Sequence, residues 1–162
     1  MTDTIAKVLE FHEALGLEVA IAPGLPAERS DAAGIKRVFG GDMLDKALTR
    51  FREGAALGDA RCLRLALLTE ELLELCDSGT ATDALDALVD LRYVLDGTVI
   101  AFGFHLPTTA HHNVPRFYRA FNRVHAANMA KLQPDGTVKR DATGKVVKPE
   151  GWTTPDLSDL VV

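Results

Sequence analysis

The sequence predicts an all-α fold, namely a bundle of four to five helices followed by an irregular C-terminal tail. Apolar residues recur at helical spacing over long stretches. Capping residues, glycines and prolines separate those stretches, and candidate strands are confined to the tail. A chain of 162 residues fits one ordinary domain. We therefore expect a bundle over residues 1–132 and a tail over 133–162 within the same domain.

The helices are predicted in chain order from their caps and breaks. A connector with several prolines covers residues 22–30, and 31–41 show no clear period. Asp42, Asp59 and either Thr80 or Thr82 are candidate N-caps, and Pro115 suits a first helical turn. The first predicted helix covers residues 4–16, and the second begins at residue 42 and ends at a break between Gly54 and Gly58. Three further helices are predicted, over residues 59–76, from residue 80 or 82 to about 102, and from residue 115 to about 132.

The two non-helical regions that follow the central helices have different characters. Residues 103–113 contain Gly103, Pro107 and a His-His-Asn stretch, and we expect a loop there. In the tail, Thr137–Arg140 and Lys145–Lys148 could pair as a short hairpin across the turn at Asp141–Gly144.

Composition limits the classes of function. The net charge is −5, which disfavours a nucleic-acid-binding bundle, and an acidic protein that binds a phosphorylated substrate usually needs metal ions. We find neither a signal peptide nor an apolar run long enough to span a membrane, so we expect a cytoplasmic protein with no membrane partner. Cys62 and Cys76 show no metal-binding spacing and are expected to be buried, reduced thiols.

The central helices carry pairs of acids on one face. Glu71 and Glu74 lie three residues apart, within a stripe that is otherwise partly apolar. Asp86 and Asp90 lie four apart on the next helix. The connection between the helices is short, which predicts antiparallel neighbours whose acidic faces could converge. Acids on helices are usually only solvated, but interruption of two apolar stripes favours a site for Mg²⁺, or Mn²⁺, bound by oxygen ligands.

Several motifs, in the right order, resemble the all-α NTP pyrophosphohydrolases, in particular the MazG-like and phosphoribosyl-ATP-pyrophosphohydrolase-like group and its phage-type branch. The first is Glu-Glu-x-x-Glu, and the second is the acidic helix that follows it. The others are a first-helix segment, a last-helix segment and a tail that contains Pro-Glu-Gly-Trp. These motifs lie at residues 70–74, 86–98, 10–19, 124–131 and 148–157.

The resemblance implies roles for the acids. Glu71, Glu74, Asp86 and Asp90 would be metal ligands, and Glu70 would be an added ligand or a base that helps to deprotonate water. Many members of the group place the second acidic pair as Glu-x-x-Asp, whereas residue 87 here is alanine. Asp86 is the available substitute, about 100° around the helix from that position. The segments 28–58 and 105–115 are also longer than is usual in the group.

The resemblance also implies substrate contacts. Asn128 and Lys131 share a helical face and could approach the phosphates, although a solvated helix end explains Lys131 equally well. The basic tail, including Lys148, could act as a flap over the triphosphate or be a solvated hairpin. Candidates for base or sugar contacts, each of which core packing explains at least as well, are Tyr93, Phe11, His12 and Trp152.

The implied activity is Mg²⁺-dependent hydrolysis of a (d)NTP to the (d)NMP and pyrophosphate, for control or cleaning of the nucleotide pool. The group assembles as homodimers or homotetramers, and the long apolar stretches predict the same here. A ferritin-like di-iron protein is excluded, because no histidine follows a glutamate by three residues. A non-catalytic helical interaction module is the alternative function.

Overall fold

A computed structural model describes residues 4–24, 41–109 and 111–161. These residues form five α-helices and one pair of short strands, which confirms the all-α fold class. The predicted connector and the aperiodic segment lie largely outside the described residues, as does the side chain of Asp42. The elements in chain order are α1 (Thr4–Ala14), α2 (Gly41–Ala56), α3 (Ala60–Asp77), α4 (Ala81–Ala101), β1 (Pro107–Thr108), β2 (His111–Pro115) and α5 (Arg116–Met129).

The described residues divide into two compact units. The central unit is Ala22–Phe102, and it contains α2, α3 and α4. The terminal unit combines Met1–Ile21 with Gly103–Val162, and it contains α1, α5, both strands and the tail. Membership of both units in one domain stays a prediction.

Capping residues set the limits of the two acidic helices. The Asp59 side chain accepts hydrogen bonds from the backbone N–H groups of Arg61 (2.8 Å) and Cys62 (3.2 Å), so α3 begins directly after it. Thr80 and Asp83 form a reciprocal capping box at the start of α4. The candidate caps Asp59 and Thr80 are therefore confirmed. Only residues 78–80 separate the two helices, so α4 returns along α3 and packs against it.

Small residues allow the helices of the central unit to approach closely. Ala66 and Thr69 of α3 are buried, as are Ala84 and Ala87 of α4. Gly54 faces Cys62 across the α2–α3 contact, where an added Cβ would lie 2.5 Å from the Cys62 sulfur. Few side chains of this unit are therefore fully buried, and much of the surface of its helices is exposed.

The terminal unit packs α1 against α5 around a few large side chains. Leu15, at the end of α1, and Leu160, in a short 3₁₀ turn over Ser158–Leu160, are almost fully buried. Gly16 adopts a φ of +58°, a left-handed conformation that ends helices, which confirms it as the stop of α1.

The tail forms the predicted hairpin. Lys139 accepts a backbone hydrogen bond from Val147 (2.8 Å), and Arg140 and Val146 form an isolated antiparallel bridge. Asp141 orders the turn by accepting hydrogen bonds from the backbone N–H groups of Thr143 and Lys145.

Three sequence-based expectations need correction. The predicted loop before Pro115 contains the antiparallel pair β1 and β2, with Pro107 opposite Pro115. The last helix ends at Met129 rather than Leu132, because the chain closes with turn-type hydrogen bonds beyond it. Cys76 is exposed near the end of α3 and Cys62 is half-buried, so the prediction of two buried thiols was wrong. No helix among the described residues is long and apolar enough to cross a membrane.

Candidate functional site

The predicted acidic ligands lie on the two packed helices of the central unit. Glu71 and Glu74 are on α3, Glu71 half-buried and Glu74 exposed. Asp86 and Asp90 are exposed on α4. Among the described residues, none of these four carboxylates forms a hydrogen bond or an ion pair. Their charges are therefore not offset by protein groups within the described part of the chain.

Electrostatics shows that these acids are neighbours. Partial burial is the largest cause of a raised pKa at Glu71, and repulsion by Glu74, Asp90, Glu70 and Asp86 follows in that order. The structure therefore places the other four predicted acids near Glu71. A carboxylate surrounded by like charges is stabilised when a cation is bound among them.

The acids are near each other but do not form a finished coordination shell. Within the described residues, no group of three or more histidine, cysteine, aspartate or glutamate side chains is close enough to hold a metal ion as it stands. The donor set is nevertheless of the right kind, because carboxylate oxygens are the ligands that Mg²⁺ prefers. Glu74, Asp86 and Asp90 are exposed, and exposed side chains change rotamer in picoseconds to nanoseconds. These three side chains are therefore free to change rotamer when a cation binds.

The structure gives residue 87 a packing role. Ala87 is 2% exposed, on the side of α4 that packs in the core, whereas Asp86 is exposed. Asp86 also contributes the weakest of the four carboxylate repulsions at Glu71, and Asp90 contributes more. A longer side chain at residue 87 would need room that the α4 core contact does not provide.

Glu70 has a cationic partner that the sequence did not reveal. The Glu70 Oε1 atom pairs with the Arg52 guanidinium of α2, in a contact that is both a hydrogen bond and a salt bridge. Arg52 lies 18 residues away on another helix, so helical spacing within α3 carries no signal for the pair. Glu70 therefore faces α2, while the neighbours of Glu71 on α4 are Asp86 and Asp90.

The predicted substrate contacts fall in both units. Tyr93, on α4 of the central unit, is 80% exposed. The other six candidates lie in the terminal unit, namely Phe11, His12, Asn128, Lys131, Lys148 and Trp152. The Nδ1 atom of His12 lies 3.2 Å from the Glu18 carbonyl oxygen, which can only accept, so this nitrogen donates the hydrogen bond.

The basic candidates of the terminal unit already contact neighbouring groups. The Lys131 ammonium lies 5.7 Å from the centre of the Phe11 ring, and the Lys148 ammonium lies 3.9 Å from the Trp152 ring. Arg140 donates a 2.6 Å hydrogen bond to the Leu15 carbonyl oxygen. At least part of the basic tail therefore holds the terminal unit together.

A surface groove of about 830 Å³ also lies in the terminal unit, between α5 and residues 149–156. Its one arginine, Arg123, is engaged by the Asp159 carboxylate and the Asp156 carbonyl oxygen. This groove contains none of the predicted metal ligands.

Comparison with known proteins supports the fold. The chain is similar to the crystal structure of a putative NTP pyrophosphohydrolase from Exiguobacterium sp. 255-15, with a TM-score of 0.58 and 24% identity. The match covers 98% of this chain and 94% of the Exiguobacterium chain. No family model matches the sequence, and no curated protein matches it significantly.

Proposed function

We propose that this protein is a Mg²⁺-dependent nucleoside triphosphate diphosphatase that converts a (d)NTP to the (d)NMP and pyrophosphate. Nucleotide-pool control or cleaning is the role that such an activity would serve. The observation that carries the proposal is the grouping of four carboxylates of α3 and α4 around that of Glu71. The similarity in fold to the Exiguobacterium protein agrees with it.

The proposed cation ligands are Glu71, Glu74 and Asp90, with Asp86 as the remaining carboxylate of the set. A bound Mg²⁺ would supply positive charge toward the triphosphate and increase the acidity of a water molecule. The carboxylates would hold that charge in position, and partial burial of Glu71 would strengthen its electrostatic interaction with the ion. Glu70 would accept a proton or add a ligand, and Arg52 already donates a hydrogen bond to one of its two carboxylate oxygens, Oε1.

The test is a screen of common and modified nucleotides with Mg²⁺ in which pyrophosphate and inorganic phosphate are measured separately. We expect pyrophosphate as the product, and no turnover after chelation with EDTA. Release of inorganic phosphate would show that the reaction is assigned wrongly. Absence of turnover together with absence of a Mg²⁺-dependent thermal shift would favour the alternative, a non-catalytic helical interaction module.

We also propose that the protein forms a homodimer or homotetramer. Several large apolar side chains of α4 are exposed in the single chain, and burial of such side chains contributes favourably to association. They are Leu85, Leu88, Val89, Tyr93 and Ile100, with exposures of 50–80%. Light scattering at micromolar concentration should give a mass of two or four chains, and a strictly monomeric mass would contradict the proposal.

A further inference from the structure

The Arg52–Glu70 pair lies at the edge of the acidic group. Glu70 and Glu71 are consecutive on α3, so their side chains leave the helix about 100° apart. The carboxylate nearest in sequence to Glu71 is therefore paired with a cation of the protein.

The pair also limits how Glu70 can bind a metal ion. A guanidinium group presents only donors and commonly binds carboxylate oxygens in fixed geometry. While Arg52 donates to Oε1 of Glu70, a metal ion at this carboxylate has to bind beside a guanidinium of the same charge sign or displace it. The side chains of Arg52 and Glu70 are 60% and 34% exposed, so the pair can exchange with solvent and ions rather than being fixed in a core.

We propose that Arg52 is a positioning residue that competes with a divalent cation for Glu70. By holding Glu70 on the α2 side, Arg52 lowers the affinity of the acidic group for the cation and keeps this carboxylate out of its coordination shell until the pair opens. The inference rests on the proposed metal site. It gives a residue of α2 a role at that site, although the acidic motifs lie on α3 and α4.

The experiment measures the dissociation constant of Mn²⁺ for the full chain by titration calorimetry. Arg52→Met removes the guanidinium and keeps an unbranched side chain. Arg50→Met is the matched control, because Arg50 is an exposed arginine on the same helix and its loss changes the net charge equally. Both variants are also made in a Glu70→Gln background, and Glu71→Gln serves as the reference for loss of the site.

We expect Arg52→Met to tighten Mn²⁺ binding about two- to fivefold more than Arg50→Met, the factor for releasing one exposed ion pair. In the Glu70→Gln background the two arginine variants should have equal effects. A merely structural role of Arg52 would lower the melting temperature without this coupling to Glu70.

Three results would overturn the inference while leaving the metal site intact: equal effects of the two arginine variants, weaker binding in Arg52→Met, or an undiminished advantage of Arg52→Met in the Glu70→Gln background. If the unmodified chain shows no Mn²⁺ binding that Glu71→Gln abolishes, the proposed metal site fails, and the inference fails with it.

Discussion

The two units of this protein use their polar side chains differently. In the terminal unit, polar groups bind the chain to itself: Arg140 donates to the Leu15 carbonyl, and the Trp152 indole N–H donates to Ala127 at 2.7 Å. In the central unit, the carboxylates of Glu74 and Asp90 repel that of Glu71, and within the described residues no hydrogen bond or ion pair engages these three groups. Polar groups that satisfy each other maintain a fold, whereas a group of like charges reduces stability unless a ligand is bound. The carboxylates of α3 and α4 are therefore the candidates for binding a ligand.

The largest expected effect is on activity. Glu71→Gln and Asp90→Asn each remove one charge at nearly constant shape, and we expect turnover to fall by orders of magnitude, since metal catalysis supplies several kcal/mol. Without metal, the melting temperature should be unchanged or higher, because repulsion around Glu71 is relieved. Activity assays and melting curves with and without Mg²⁺ test both statements.

Asp86→Asn tests whether Asp86, like Asp90, is a metal ligand. Full activity of this variant beside an inactive Asp90→Asn would show that Asp86 is not a ligand. A lower melting temperature of the metal-free Glu71 or Asp90 variants would instead indicate that these acids form structural pairs, and the contrast between the units would then disappear.

The next effect concerns packing in the central unit. Gly54→Ala places a Cβ 2.5 Å from the Cys62 sulfur, and overpacking of this kind costs roughly 1–3 kcal/mol, part of which the higher helix propensity of alanine offsets. The free energy of unfolding from urea titration should fall. Gly79→Ala is the control, because nothing lies within 4 Å of its added Cβ. Adding Cys62→Ala removes the closest atom and should recover part of the loss.

A smaller effect is expected at the tail of the terminal unit. Trp152→Phe keeps an aromatic ring but removes the hydrogen bond to Ala127, at a cost of about 1 kcal/mol. Mn²⁺ affinity of the central unit should not change. Lys148→Met, which removes only the cation above the ring, should cost less in the same denaturation experiment. No loss of stability in Trp152→Phe would show that the hydrogen bond contributes nothing.

The smallest effect depends on pH. A hydrogen bond from Arg123 is the largest cause of a lowered pKa at Asp159. A carboxyl whose folded pKa is depressed stabilises the fold above its ordinary pKa of 3.8, and this stabilisation is lost as the pH falls through the folded pKa. Asp159→Asn should lower the melting temperature slightly at pH 7, and the difference should vanish in strong acid. A difference independent of pH would contradict the charge-based account.

Local features of the fold could be predicted well from the sequence. The caps Asp59 and Thr80, the stop at Gly16 and the tail hairpin around Asp141 depend on interactions between residues close in the chain. The pairing of β1 with β2 was missed, because two residues of β1 carry no alternating pattern.

The acidic group was also predictable, since helical spacing fixes the faces of α3 and α4. The partner of Glu70 was not, because Arg52 reaches it through the packing of α2 against α3, and the exposed face of α2 shows no pattern that selects one arginine. Burial of Ala87 was not predictable either, because it depends on which side of α4 faces the neighbouring helices. The order of small and large residues along α4 does not determine that side.

The position of Trp152 has a practical consequence. It is the chain's single tryptophan, and it is docked on α5 by its indole N–H and covered by Lys148. Intrinsic fluorescence excited at the red edge of tryptophan absorption therefore reports on the terminal unit alone, while far-ultraviolet circular dichroism records the helices of both units. Coincident transitions of the two signals during denaturation would mean that the units unfold together, and separate transitions would give the stability of each.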